Sequence, residues 1–187
     1  MNPSVSSQND QTLRIRDIDT DSHCEIDLIA KRMRDTLIEV EGEVVADKLH
    51  SQEWIRQRLL WHVTGAEVLA KVMVATLNTD EVIGHTILRR EVDEGGNQFG
   101  LIATTYVAPA YRKRGVANQL LLAGEQWFHT VDLNIFSTWT SARNHKLIGL
   151  HTKNGYKISE SGLNEITGTE MVKLTKPFRQ ASHAASI

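Results

Sequence analysis

Residues 104 to 122 run Thr104-Thr-Tyr-Val-Ala-Pro-Ala-Tyr-Arg-Lys-Arg-Gly-Val-Ala-Asn-Gln-Leu-Leu-Leu122. The β-rich start, the proline and the leucine-rich end predict a strand, a short loop and a helix that begins near Arg114. Gly115 and Ala117 are small, so a ligand could approach the backbone where the first turn of a helix offers unpaired N–H groups and a positive dipole end. The run Arg112-Lys-Arg114 adds three positive charges. This pattern favours a pyrophosphate-binding loop, and a solvated basic turn is the alternative.

On both sides of this stretch, the spacing of the hydrophobic residues changes several times between the pattern of a strand and that of a helix. The order is strand, two helices, three strands, helix, strand, helix and two strands, which predicts a mixed α/β fold with helices on both faces of one sheet. The predicted strands are 12–16, 68–77, 82–88, 99–107, 133–140, 156–158 and 170–174, with hairpin turns at 78–81 and 94–97. The predicted helices follow the cap candidates 19–22 and Ser51 (closed by Gly65), and span 115–129 and 144–152.

Composition limits the function classes. The chain has 187 residues and a net charge of −2, which argues against a general nucleic-acid or anionic-membrane binder. It has one cysteine, Cys24, which we expect in a helix core, and no apolar run of the roughly 20 residues that a membrane span needs. The start lacks a signal-peptide pattern. We therefore expect a cytoplasmic protein with a single domain at 12–178, between disordered tails at 1–11 and 179–187.

A second motif follows the first at a distance of one helix and one strand. Arg112-x-x-Gly115-x-Ala117, preceded by Val107-x-Pro109, resembles the Gln/Arg-x-x-Gly-x-Gly/Ala signature of the GNAT superfamily of N-acetyltransferases. Downstream, Asn144-x-x-Leu147-x-x-x-His151-x-x-x-Gly155-Tyr156 is similar to the family's Asn-x-x-Ala-x-x-x-Tyr-x-x-x-Gly-Phe segment. Two motifs in the right order are more specific than either alone. The resemblance covers about residues 12 to 176. In the first half it rests only on the pattern of predicted strands and helices, without a motif.

The resemblance implies a mostly antiparallel sheet in which two neighbouring parallel strands splay apart and acetyl-CoA, the co-substrate, lies in the gap. The pantetheine arm would pair with the backbone of Thr105, Tyr106 and Val107, and Asn144 would contact it from the other side. The pyrophosphate would be held by Arg112, Lys113, Arg114, Gly115, Val116, Ala117 and Asn118. An amine would attack the thioester directly through a tetrahedral intermediate, which requires a neutral amine, a polarised carbonyl and a proton for the thiolate.

The sequence departs from the family pattern at the acid and the base. His151 stands where the family has its tyrosine acid, and imidazolium is a competent acid; a helix histidine without a catalytic part is the alternative. Leu101 and Trp139 stand where family members carry a glutamate. The base stays open among Glu39, Glu41, Glu43, His85 and Thr104, with a water relay or an already neutral amine as further routes.

These residues leave two functions open. The first is acetyl transfer to the primary amine of a small molecule or peptide, and the alternative is an acyl-CoA-binding module with weak or lost turnover. Trp54, Trp61 and Trp139 either pack in the core or line the acceptor site. The eight histidines show no ligand spacing, so we expect no metal. The resemblance also implies a homodimer.

Overall fold

The computed structural model describes residues 12–77 and 80–177. Within these ranges the chain forms seven strands and five α-helices. The strands are β1 (Arg14–Asp17), β2 (Ala70–Thr76), β3 (Val82–Val92), β4 (Gln98–Val107), β5 (Ile135–Ser141), β6 (Lys157–Leu163) and β7 (Glu170–Pro177). The helices are α1 (His23–Glu41), α2 (Glu43–Leu49), α3 (Gln52–Thr64), α4 (Val116–Thr130) and α5 (His145–Lys153), and a 3₁₀ turn covers Pro109–Tyr111.

The strands form a single sheet in the order β1-β2-β3-β4-β5-β7-β6. All neighbours are antiparallel except β4 and β5, which run parallel. β4 and β5 pair only at Gly100 with Phe136 and Leu101 with Ser137. Beyond Leu101 the two strands separate, so one half of β4 has a strand partner on one side only. The predicted mixed fold with one splayed parallel pair is confirmed.

Local sequence signals position the helices. The Ser22 hydroxyl accepts from the Glu25 N–H and the Ser51 hydroxyl from the Trp54 N–H, as N-cap serines do at α1 and α3. The predicted closure of α3 at Gly65 is also confirmed. Helix α2 was not predicted; it follows α1 after the single residue Gly42 at φ 85°. This left-handed glycine turns the chain, so two helices stand where one helix and a loop were expected.

The sheet is covered by different helices on its two faces. α1 and α3 bury Ile26, Ile29 and Leu59 against Val74 and Ile87 of β2 and β3. α4 packs on the opposite face; there a Cβ on Gly100 would lie 2.6 Å from the Phe128 ring. We call these the α1 face and the α4 face. The side chains of successive residues in a strand point to opposite faces of the sheet. Gly84 therefore faces α4, and His85 with its cross-strand partner Tyr106 faces α1.

The remaining expectations concern the position of Cys24, the tails of the chain and membrane-spanning helices. Cys24 is exposed, so its prediction as a core residue is wrong: it lies outside the Ile26, Ile29 and Ala30 stripe that α1 turns to the sheet. The tails at 1–11 and 179–187, and residues 78 and 79 of the first hairpin turn, lie outside the described residues. No helix in the part of the chain that is described has the length and apolar character needed to cross a membrane.

Candidate functional site

The gap between β4 and β5 leaves backbone groups of β4 without a strand partner. The Ala108 N–H donates to the Ile83 carbonyl, so Ala108 directs its backbone groups to β3. Backbone groups alternate in direction along a strand, so those of Thr105 and Val107 point into the gap and those of Tyr106 toward β3. The gap can therefore accept an extended chain that hydrogen-bonds like a strand.

The loop after β4 presents a row of free N–H groups at the start of α4. Gly115, the N-cap residue, is left-handed at φ 81° and makes no side-chain cap hydrogen bond. The first backbone donor of the helix is Gln119, whose N–H reaches the Gly115 carbonyl. The N–H groups of residues 113 to 118 donate to no group of the described chain. Such a row at a helix N-terminus fits a diphosphate, because each N–H can donate to a phosphate oxygen along the helix dipole.

The basic side chains of this loop divide into two kinds. Lys113 and Arg114 are exposed and available to an anion. The Arg112 guanidinium is already engaged, since its Nε donates to the Val107 carbonyl at 2.9 Å and its Nη atoms donate to both Glu39 carboxylate oxygens at 2.9 and 2.8 Å. Lys146 at the start of α5 also contacts Glu39, at 3.1 Å. Glu39 therefore links α1 to both sides of the gap, and Arg112, whose backbone N–H also donates to the Pro109 carbonyl, has its donors engaged within the chain.

Asn144 caps α5. Its side-chain oxygen accepts from the Leu147 N–H at 3.2 Å, and its side-chain nitrogen donates to the Thr140 hydroxyl at 3.0 Å. These bonds place Asn144 at the end of β5, beside the gap. Its contact with the cofactor stays a prediction.

His151 lies inside the protein, between α5 and the end of the sheet. The ring is fully buried and stands edge-on to Tyr156, with ring centres 4.7 Å apart. Its Nδ1 is 3.0 Å from the Leu147 carbonyl, which can only accept, so Nδ1 carries a proton and Nε2 of the neutral ring is an acceptor without a partner in the described chain. Burial lowers the pKa of His151, although the Leu147 carbonyl and the nearby Glu125 carboxylate act to raise it. The catalytic role of His151 stays a prediction.

A buried polar cluster surrounds this histidine. Glu125 of α4 pairs with Lys176 of β7 at 2.7 Å. Burial and the Glu125 charge raise the pKa of the Tyr156 phenol, so Tyr156 stays protonated at all ordinary pH values. The sequence analysis did not connect Glu125 or Lys176 with this site, because they lie 26 and 25 residues from His151 and neither belongs to a motif.

The candidates for the general base have different environments. Hydrogen bonds from Arg112 and Lys146 lower the pKa of Glu39, with burial acting against them, so Glu39 is a weak proton acceptor. Burial lowers the pKa of His85 to about 3, and the charge of Arg32 lowers it further, so His85 is neutral and also weakly basic. Glu41 accepts from the Thr169 hydroxyl at 2.7 Å, and Glu43 is exposed. These contacts favour a water relay or an amine that arrives neutral.

The three tryptophans in question are not core residues. Trp54, Trp61 and Trp139 are 46%, 40% and 40% exposed. Trp54 stacks on His50, and Trp61 lies under the Arg58 guanidinium. Trp139 follows the parallel pairing on β5, so it lies beside the gap and is available to an acceptor.

The described chain thus combines a splayed parallel pair, a row of N–H groups without partners at the start of the helix that follows, and exposed basic side chains beside them. Residues 30–156 match the family model "Acetyltransferase (GNAT) family". This match spans more than half of the chain, so the chain belongs to the GNAT acetyltransferase family and is an acyltransferase.

Solved structures share this fold at low sequence identity. Ribosomal-protein-alanine N-acetyltransferase from Brucella melitensis superposes with a TM-score of 0.68 at 17% identity, over 88% of this chain and 99% of that one. The acetyltransferase yncA from Salmonella typhimurium, solved with acetyl-CoA, gives 0.67 at 17% identity, over 92% and 96%. PaiA N-acetyltransferase from Thermoplasma acidophilum, in complex with coenzyme A, gives 0.62 at 14% identity, over 87% and 98%. No curated protein matches the chain.

Proposed function

We propose that this protein transfers the acetyl group of acetyl-CoA to the primary amine of a small molecule or peptide by direct attack. The observation that carries the proposal is the free row of N–H groups at 113–118, which adjoins the unpaired half of β4. The N–H groups and the exposed Lys113 and Arg114 would hold the diphosphate, and the backbone of Thr105 and Val107 the pantetheine arm. The solved relatives with acetyl-CoA and coenzyme A support this choice of co-substrate.

The reaction needs a proton balance that the chain must supply. The amine lone pair attacks the thioester carbon, the carbon–sulfur bond breaks, the nitrogen loses a proton and the thiolate gains one. His151 lies in the motif position of the family's acid, but its lowered pKa leaves little imidazolium near neutral pH. We keep His151 as the proposed acid because it occupies the position of the family's acid in the motif, and its protonated fraction then limits the rate.

One observation favours the alternative of an acyl-CoA-binding module. Leu101 and Trp139 provide no carboxylate, and the carboxylates of α1 are paired with cations or a hydroxyl. An assay of CoA release over a broad panel of amines separates the two functions, since a binding module holds acetyl-CoA without releasing CoA. A cytoplasmic location and a homodimer stay predictions that go with either function.

Calorimetric titration with acetyl-CoA tests the proposed site. We expect saturable binding by the wild type, and a several-fold weaker affinity in Lys113→Gln, because one charge near a phosphate is worth about 1 kcal/mol when exposed. Arg90→Gln removes an exposed charge opposite Gly100, at the end of β4 away from the 113–118 loop, and should bind like the wild type. Absence of saturable binding by the wild type, or equal losses in both variants, contradicts the proposal.

A further inference from the structure

Arg32, His85 and Tyr106 meet on the α1 face of the sheet. Tyr106 lies directly across from His85 in the β3–β4 ladder, and the two rings stack with centres 5.5 Å apart. The Arg32 guanidinium of α1 lies over the Tyr106 ring at 5.3 Å. We call these three residues the α1-face cluster. On β4, Tyr106 stands between Thr105 and Val107, whose backbone groups face the gap. The side chains of the cluster project toward α1 instead.

Two arginines flank Tyr106, and they differ in their partners. Arg112 lies 6.0 Å from the Tyr106 ring and is neutralised by both oxygens of Glu39. Arg32 has no hydrogen bond from its guanidinium and no ion pair within the described residues, and its Nη1 is buried. The carboxylates nearest to its charge are engaged elsewhere: Asp35 with Lys31, and Glu81 with the Tyr111 hydroxyl.

His85 adds a second unpartnered group at the same place. The ring is fully buried, and neither Nδ1 nor Nε2 hydrogen-bonds to any group of the described chain. Buried polar atoms are nearly always paired, because an unpaired one forfeits the hydrogen bonds that it makes in water. A neutral imidazole offers one N–H donor, and the guanidinium offers several donors and a positive charge. The cluster therefore presents donors and positive charge and lacks a counter-anion.

A carboxylate satisfies this set. Its two oxygens match the planar fork of a guanidinium and can also accept from an imidazole N–H. The carboxylates of Asp35 and Glu81 act on the charge of Arg32 without hydrogen-bonding to it, so the carboxylate of a ligand would complete the set. Because Tyr106 lies on β4, between His85 of β3 and the gap beside β5, a ligand bound to Arg32 and His85 also lies toward the gap where the thioester is expected.

We propose that Arg32 and His85 bind the carboxylate of an acceptor that carries its amine on the same small molecule, as free amino acids do. This inference names the substrate class of the acceptor site and rests on the proposed acetyl transfer. The carboxylate contacts fix the position of the acceptor, and its amine extends past Tyr106 toward the gap. Arg32 is then a specificity-determining residue.

Paired substrates test this assignment. Free L-amino acids and their α-amides share side chain and amine and differ in the carboxylate charge. We expect the wild type to release CoA with a kcat/KM about 10- to 100-fold higher for the acids, as befits a bidentate ion pair. Arg32→Gln should abolish the preference by raising the KM for the acids to that for the amides, and Arg32→Lys should keep part of the preference. The neighbouring Lys31, exposed and paired with Asp35, gives the control Lys31→Gln, which should retain the preference.

Thermal stability of the protein gives a readout without turnover. The preferred amino acid should raise the melting temperature of the wild type and of Lys31→Gln, and should not raise that of Arg32→Gln. If acids and amides are acetylated equally well by the wild type, the carboxylate site is overturned while acetyl transfer stands. If acetyl-CoA does not bind but the amino acid still stabilises the wild type through Arg32, acetyl transfer fails and the carboxylate site stands. Equal losses in Arg32→Gln and Lys31→Gln also overturn it.

Discussion

His151 shows how a single side chain can keep its motif position and change its chemistry. A tyrosine at this position carries a proton at any ordinary pH, whereas imidazole carries its second proton only below its pKa. Burial lowers that pKa further, and the Nδ1 contact with Leu147 leaves the acceptor nitrogen, Nε2, as the one free to face a reacting group. At the residue scale, the acid role thus depends on pH in a way that a phenol would not show.

This dependence can be measured with His151→Phe, which fills the same buried space without ionising. If imidazolium protonates the thiolate, the variant should lose about 10²- to 10⁴-fold in the rate of CoA release. The ratio of wild-type to variant rates should also fall from about pH 6 to about pH 8, as the protonated fraction declines.

A neighbouring variant controls for damage to the packing. Tyr156→Phe removes the buried hydroxyl beside Glu125 in the same cluster and keeps the ring that packs on His151, so its rate should match the wild type. If the ratio of wild-type to His151→Phe rates does not change with pH, His151 has a structural role. Equal losses of rate in His151→Phe and Tyr156→Phe lead to the same conclusion.

At the scale of elements, the loop between β4 and α4 combines a local signal with a long-range one. Its glycine, its single proline and its basic residues predict a turn into a helix, and the helix follows as expected at Val116–Thr130. The free N–H groups become a site only because β5 leaves β4 beyond Leu101. Glu39, far away in sequence, then links the two sides of the gap through Arg112 and Lys146.

Two glycine-to-alanine variants separate the backbone of this loop from general helix stability. Gly115 is left-handed with open space around it, so Gly115→Ala strains the backbone by about 1 kcal/mol and shifts the N–H row. We expect acetyl-CoA to bind at least about tenfold more weakly by calorimetry. Gly149 has a helical position in α5 and equally open space, so Gly149→Ala should stabilise by about 0.5 to 1 kcal/mol and bind normally. Unchanged affinity in Gly115→Ala contradicts the proposed phosphate site.

At the scale of the whole molecule, three buried histidines link folding to pH. His62, His85 and His151 are each at most 5% exposed. Burial lowers the pKa of His62 to about 4 and of His85 to about 3, and nearby arginines contribute in both cases. Burial also lowers the pKa of His151. These rings stay neutral in the folded protein where the unfolded chain protonates them.

The free energy of unfolding should therefore fall as pH falls below 6.5, the ordinary histidine value. The folded pKa values lie below the unfolded ones, so the unfolded state binds more protons in this window and gains stability from acid. Each neutral histidine contributes a slope of about 1.4 kcal/mol per pH unit until its folded pKa is reached. Urea denaturation at a series of pH values from about 7 to 4 measures the slope. His62→Gln should reduce this slope by the contribution of one histidine, about 1.4 kcal/mol per pH unit. An unchanged slope would show that His62 does not link folding to pH.

Much of the fold could be predicted because its signals are local. Period changes, the cap serines 22 and 51, Gly65 and Pro109 place strands and helices within a few residues of their observed bounds. α2 was missed because a glycine turn between two helices gives no change of period. Cys24 was misplaced because a helix face is decided by the whole stripe of residues that the sheet covers.

The sequence by itself determined the family, the order of the elements apart from α2, and the loop proposed to hold a diphosphate, because each depends on residues close together in the chain. Only the tertiary structure decided the charge and hydrogen-bond partners of the site. Glu39 neutralises Arg112, Arg32 stays without an anion beside His85, and His151 is buried with Glu125 and Tyr156. The reason is physical: burial and pairing set the pKa and the binding strength of a charged group, and both depend on residues brought together from distant parts of the chain.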